Sequence, residues 1–295
     1  MNLLREGIAD FEPLTLPDEQ IALVDLRGTI TNDEVSLSHP GIYTSIQDAQ
    51  RAGWLIGIVS SKTLENQRRW RRYLGLNGPL IAEGAIVEWR NELHYTNPLV
   101  PAIAEQYVIA RAAAQQELVS MGVHVWDKDD PTWAMAECRI GSVGDPGDTI
   151  AFFDPYRKLG MTAFVRVLDT KGQLIQNKQE TKRVAKYIRP FALGHPMEPH
   201  DDGLVGDTYQ LTTKRDGILA FRSIAGITGR IAVIGNSKKD DVGSDIAVLL
   251  AVGGAEAGFR TDGTANAPQT AGVVELLGRL TFAAKIEYSS SARNA

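Results

Sequence analysis

The stretch IALVDLRGTITND, residues 21 to 33, decides how this chain is read. Its first half, IALVDL (21–26), is a short apolar run that carries a carboxylate, Asp25, near its end, the pattern of a strand buried on both faces. The Gly-Thr pair that follows breaks the run, so Asp25 stands where a strand gives way to a turn. Outward from it, YTSIQDAQRAGW (43–54) places apolar and small residues at helical spacing, and LIGIVSS (55–61) is a second buried strand. TLENQRRWRRYLGL (63–76) reads as a helix stopped near Gly75, and PLIAEG (79–84) as a third strand. This alternation predicts an α/β fold, a Rossmann-like parallel sheet core with helices on both faces. Such sheets bind ligands at the carboxyl ends of their strands.

The rhythm changes near residue 85. IVEWRNELHY resembles a hairpin, an Ala- and Gln-rich helix is expected near 101–121, and CRIGS (138–142) and TAFVRVLDT (162–170) are strand candidates. GDPGD (144–148) and GHPMEPHDDG (194–203) read as turns or loops. The expectation is an inserted α+β domain over 85–205, between core segments 1–84 and 206–295. After it come a helix, KRDGILAFRSIAG (214–226), and a fourth buried strand, RIAVIGNS (230–237), with polar residues again at its carboxyl end.

Composition sets the bounds. With 43% hydrophobic and 23% charged residues the chain has enough apolar material to pack and too little charge for disorder. A formal net charge of −5 argues against nucleic acid, which asks for a basic face. The one basic run, RRWRR (68–72), reads as the solvent face of an amphipathic helix whose Trp70, Leu74 and Leu76 turn inward. Cys138, the single cysteine, can form no internal disulfide or thiol metal site and is expected to be buried packing. The cytoplasm is therefore the expected location. The opening MNLLREGIADFEP is read as neither signal peptide nor anchor, and no run approaches the ~20 apolar residues of a membrane span.

Four polar clusters fall at positions this fold would gather: Asp25; Ser60, Ser61 and Lys62; Lys214; and Asn236, Asp240 and Asp241. A carboxylate can attack phosphorus or share a divalent cation. A hydroxyl and an ammonium can hold phosphoryl oxygens and offset transition-state charge.

In this order DLRGTIT, VSSKT, LTTKRDGI and VIGNSKKDDVGSDIA resemble the four motifs of the haloacid dehalogenase superfamily of phosphatases. The long insertion resembles the cap of its Cof-type branch, and SSKTLEN is similar to the second motif of mannosyl-3-phosphoglycerate phosphatases. The resemblance implies that Asp25 is a nucleophile forming an aspartyl-phosphate. Ser60, beside Ser61 and Lys62, would bind the phosphoryl group, and Lys214 would pair with both phosphate and nucleophile. It implies magnesium held by Asp25, the backbone carbonyl of Arg27, Asn236 and Asp240. The substrate would be a small phosphorylated metabolite, a sugar phosphate or phosphoglycerate derivative, chosen by the cap. The charge balance and the lack of a long apolar run lead to the expectation of neither nucleic acid nor membrane as a partner.

Two positions depart from the family pattern. Where the family has an acid–base Asp this chain has Arg27, which stays protonated and presents donors only. Loss of general acid–base catalysis is worth roughly 10²- to 10⁴-fold in rate, so the resemblance implies a slow enzyme unless the cap supplies a replacement. Asn236 stands where an Asp is usual, which removes one formal charge from the cation site. The alternative reading is a degenerate member that binds a phosphorylated ligand or a protein partner without turnover.

Blander readings stand beside these. Lys214 could be a surface lysine at a helix start. Asp241 is read as a helix N-terminal charge rather than a ligand, and Asp245 as orienting the loop or solvated. His195 and His200, near Asp201 and Asp202, are read as a solvated loop, since their spacing fits no compact metal geometry. His124 and Trp126 are expected on a cap strand, and Trp133 in packing.

Overall fold

The computed structural model describes residues 14–32, 36–131, 134–135, 144–193, 197–200, 203–208 and 212–291. The CRIGS strand with Cys138, and Trp133, His195, Asp201 and Asp202, lie outside the described residues.

In chain order the elements are β1 (Ile21–Val24), α1 (Ile42–Arg51), β2 (Leu55–Ser60), α2 (Leu64–Leu74), β3 (Leu80–Ala82), β4 (Ile86–Trp89) and β5 (Glu92–Tyr95). There follow α3 (Val100–Ser120), β6 (His124–Trp126), β7 (Thr149–Phe153), β8 (Gly160–Leu168), β9 (Leu174–Ile175), α4 (Lys178–Ile188), β10 (Glu198–Pro199) and β11 (Leu204–Thr208). The chain then forms α5 (Lys214–Ala225), β12 (Ile231–Gly235), β13 (Ala247–Gly253), β14 (Gly263–Pro268) and α6 (Gln269–Ser291). The chain divides into two compact units. One comprises Met1–Ser61, Gln67–His94 and Lys214–Ala295, the other Lys62–Asn66 and Tyr95–Thr213.

The first unit is built on an eight-stranded sheet of order β14-β13-β12-β1-β2-β3-β4-β5. From β14 to β3 neighbouring strands run parallel, and β3 to β4 is antiparallel. The central strands IALV and IAVIG are buried at every position, which is why they read as unbroken apolar runs rather than alternating ones. α5 sends Ile218 and Phe221 onto one face, against Leu23, Val59, Ile81 and Val233. α1 and α6 pack on each other and against β2 and β13. The hairpin IVEWRNELHY forms as expected, but it extends the first sheet. The second unit therefore opens near Tyr95 where the sequence reading opened it at 85, and closes at Thr213 where that reading closed it at 205.

Trp70, Leu74 and Leu76 are buried as expected. The arginines of RRWRR do more than face water: Arg68 and Arg71 clasp the buried Glu88 of β4 at 2.7 and 2.6 Å.

The second unit is a mixed sheet of order β10-β11-β8-β7-β6, with β9 paired to β8. Among its described strands only β6 and β7 run parallel. α3 and α4 close its core, with Tyr107, Leu118, Val184 and Ile188 against Phe153, Met161 and Val165. His124 and Trp126 lie on β6, and His124 meets Asp148 at 2.9 Å. Among the described residues no helix is long and apolar enough to cross a membrane.

Candidate active site

β1 pairs with β2 on one side and β12 on the other, so the ends of three parallel strands meet at one place. Asp25 follows β1 and donates its backbone N–H to Ile234 at 2.9 Å, Ser60 ends β2, and Gly235 ends β12. The turn after Asp25 closes on itself. Gly28 donates to the Thr31 carbonyl at 2.7 Å, and Thr31 to that of Leu26 at 2.8 Å. Gly28 has φ of 77°, and a Cβ there would stand 2.3 Å from the Asn236 amide nitrogen, so the position needs glycine on both counts. Asn236 lies against this turn and accepts the Thr29 hydroxyl at 3.2 Å.

The polar centre of the first unit is a chain of three charged groups. The Lys214 ammonium, at the first residue of α5, donates to Asp25 Oδ1 at 2.7 Å and also to Asp240 Oδ1. All three are largely buried, Asp240 completely. The other Asp240 oxygen accepts the backbone N–H groups of Asn236 and Ser237, both at 3.0 Å, and the Ser237 hydroxyl at 3.1 Å. Gly235 makes this possible, because a Cβ there would fall 2.4 Å from the Asp240 side chain. The Ser60 hydroxyl reaches Asp25 as well.

Burial pushes the Asp25 carboxyl above its ordinary value; Lys214 pulls it back and the charge of Asp240 pushes it further up, leaving it raised. Burial opposes the charge on Lys214, but the carboxylates of Asp25 and Asp240 outweigh it and the ammonium is held above its usual range.

Of the residues singled out from sequence, Asp25, Ser60, Lys214, Asn236 and Asp240 meet at this corner of the sheet. Arg27 is on the turn with an exposed side chain, Ser61 is exposed, and Lys62 groups with the second unit. Asp241 is not at a helix N-terminus: it follows the short 3-10 turn Lys238–Asp240, and its carboxylate takes Arg260 at 2.9 Å. Asp245 accepts a two-pronged contact from Arg215 at 2.8 and 2.6 Å. Sequence reading passed over Arg215, which also donates to the Val242 carbonyl. Its signal was faint, a basic residue beside Lys214 with its acidic partner 30 positions away. His200 is exposed, and among the described residues no cluster of three or more His, Cys, Asp or Glu side chains is placed to hold a metal.

No protein-family model matches the sequence, and no curated protein matches it. Solved structures do. A trehalose-6-phosphate phosphatase related protein superposes with a TM-score of 0.55 at 17% identity, covering 90% of this chain and 99% of that one. A haloacid dehalogenase-like hydrolase from Bacteroides thetaiotaomicron gives 0.55 at 15%, covering 88% and 98%. A structure from work on a trigonal-bipyramidal intermediate in a phosphoryl-transfer superfamily gives 0.51 at 16%, covering 88% and 97%. At these identities the likeness bears on the fold. The parallel sheet, the second unit carried between β5 and α5, and these superpositions give the chain the fold of the haloacid dehalogenase-like hydrolases.

Proposed function

We propose that the protein hydrolyses a small phosphorylated metabolite, a sugar phosphate or phosphoglycerate derivative, through an aspartyl-phosphate on Asp25. The observation that carries this is the Lys214 ammonium set between Asp25 and Asp240 at the strand ends. A binding module has no need of a buried carboxylate at such a point. An ammonium held there fixes one carboxylate oxygen and leaves charge available for the phosphoryl group. The neighbours named as phosphatase-related and phosphoryl-transfer proteins support the same chemistry.

In this reading Asp25 attacks phosphorus while Lys214 and the Ser60 hydroxyl hold phosphoryl oxygens. Ser61 and Lys62 follow Ser60 in the chain and supply further donors. Asp240 has the task of holding Lys214: three donors occupy one of its oxygens and Lys214 the other, which takes it out of the expected magnesium ligands. That leaves the Asp25 carboxylate, the Asn236 amide oxygen and the backbone carbonyl of Arg27. Magnesium is commonly held by one or two carboxylates together with substrate phosphate, and this set fits it in that weaker manner. When bound, the ion would offset charge on the phosphoryl oxygens. Arg27 offers a planar fork of donors suited to an anionic part of the substrate.

A second reading, binding without turnover, draws on Arg27 and Asn236, which both reduce negative charge where the cation would sit. Phosphate release from sugar phosphates and phosphoglycerate derivatives, with magnesium, separates the two. Turnover abolished by Asp25→Asn supports hydrolysis, with an acid limb of kcat/KM above that of an ordinary aspartate, because Asp25 must be ionised to attack and burial raises it. A silent parent that gains activity on Arg27→Asp sinks the first reading in favour of the second.

A further inference from the structure

α3 is apolar on two sides. Its sequence, VPAIAEQYVIARAAAQQELVS (100–120), sends Tyr107, Ala114 and Leu118 into the core of the second unit, against Phe153, Met161 and Val165. A helix that closes a core on one side ordinarily carries charge on the other. Here the outward side is Ala102, Glu105, Ile109, Ala112, Gln116 and Val119, all exposed, Ile109 at 66% and Val119 at 61%. Of these residues only Glu105 is charged, and no charged residue flanks them at 101, 106, 108, 113, 115 or 120.

The outward positions follow one another in alternating steps of three and four residues. That is the heptad spacing of a seam which packs against another helix. Read in the opposite direction, the seam is complementary to itself. When two copies of α3 lie antiparallel about a point between Ala110 and Arg111, Ala102 of one copy meets Val119 of the other, Glu105 meets Gln116, and Ile109 meets Ala112. Each layer then sets a small side chain against a larger one, or a carboxylate against an amide that donates to it. A parallel arrangement would bring Glu105 against Glu105, and like charges would oppose it. An antiparallel pair of the same helix is a twofold contact, which closes on itself and stops at two.

We propose that the outward face of α3 is a self-association surface, on which a second copy of this chain lays its own α3 antiparallel. The reversal within the seam points to a second copy, because an unrelated partner would leave no such mirror in this sequence. Nucleic acid would ask for cations, which the face lacks. One helix face is smaller than the ~800 Å² per partner of a standard interface, so the dimer is weak and exchanges with monomer.

Sedimentation equilibrium of the full chain tests this. The parent should move from the 32.2 kDa of one chain toward twice that mass as its concentration rises through the micromolar range. Ile109→Glu and Ala112→Lys each put an unpaired charge into the seam and should weaken association ~10-fold or more. Both positions are exposed, so circular dichroism and melting should match the parent. Mixed together, the two variants bring the new carboxylate of one copy against the new ammonium of the other, and association should return. A parent that keeps the mass of one chain at every concentration, or one that associates equally well after Ile109→Glu, overturns the surface. Association lost in each variant and not restored on mixing overturns the antiparallel pairing.

Discussion

The site hangs on single residues whose charges depend on one another. Lys214 stands between two buried carboxylates, so its removal leaves like charges facing each other in a poorly solvated place. In the parent the folded-state pKa of Asp25 already lies above its unfolded value, and Lys214 is what restrains it. A carboxyl raised in this way favours the fold below its unfolded value and loses that contribution as pH rises through the folded value. Lys214→Met should therefore cost on the order of 3 kcal/mol at about pH 7 and progressively less toward about pH 5, read as urea midpoints across that range. A cost that does not change with pH would show that the ammonium does not hold the pair. Asp25, Ser60 and Lys214 were legible in sequence because each ends a strand or starts a helix at a place where the fold gathers side chains. The Arg215–Asp245 pair was not: its members stand 30 positions apart, and nothing local to either announces the other.

At the scale of elements, α5 is fastened to the loop after β12 by two consecutive residues, Lys214 through Asp240, and Arg215 through Asp245 and the Val242 carbonyl. The Arg215 hydrogen bonds hold the Asp245 carboxyl down at about 2. This contact favours the fold above the unfolded value of 3.8 and is lost as pH falls through about 2. Carboxyl NMR should find Asp245 titrating near that low value, and Arg215→Gln should move the midpoint back toward 3.8. A midpoint unmoved by the substitution would mean that another group sets it. The elements of the first unit were read well up to β3 and again from α5, because apolar runs between glycines have one interpretation in a parallel sheet. β13, AVLLAVG, has the same signature and was passed over. In the second unit the strands are mostly antiparallel and partly exposed, and α4 has its apolar residues at helical spacing among many charges, so no single run stood out.

The whole molecule joins two halves of one sheet across a long insertion. Ala22 pairs with Ala232, whereas β7 and β8 pair across a short turn, Phe153 with Ala163. Closing the longer loop costs more entropy, and contacts distant in sequence form later. During refolding, pulsed hydrogen exchange should protect the amides of β7 and β8 before those that join β1 to β12. The reverse order would mean that the first unit nucleates folding despite its split. Sequence gave away the split itself, since the βα rhythm stops and resumes, though the hairpin at its edge is ambiguous until pairing shows which sheet it joins. Asp25 and Lys214 lie 189 positions apart. At roughly 5–20 residues per second on the ribosome, β1 and its buried-to-be carboxylate are made on the order of ten to forty seconds before their counter-ion exists. For that interval the β12 side of a wholly apolar strand is an open edge, and the newborn protein is most prone to sticking to its neighbours while its chemistry is still half built.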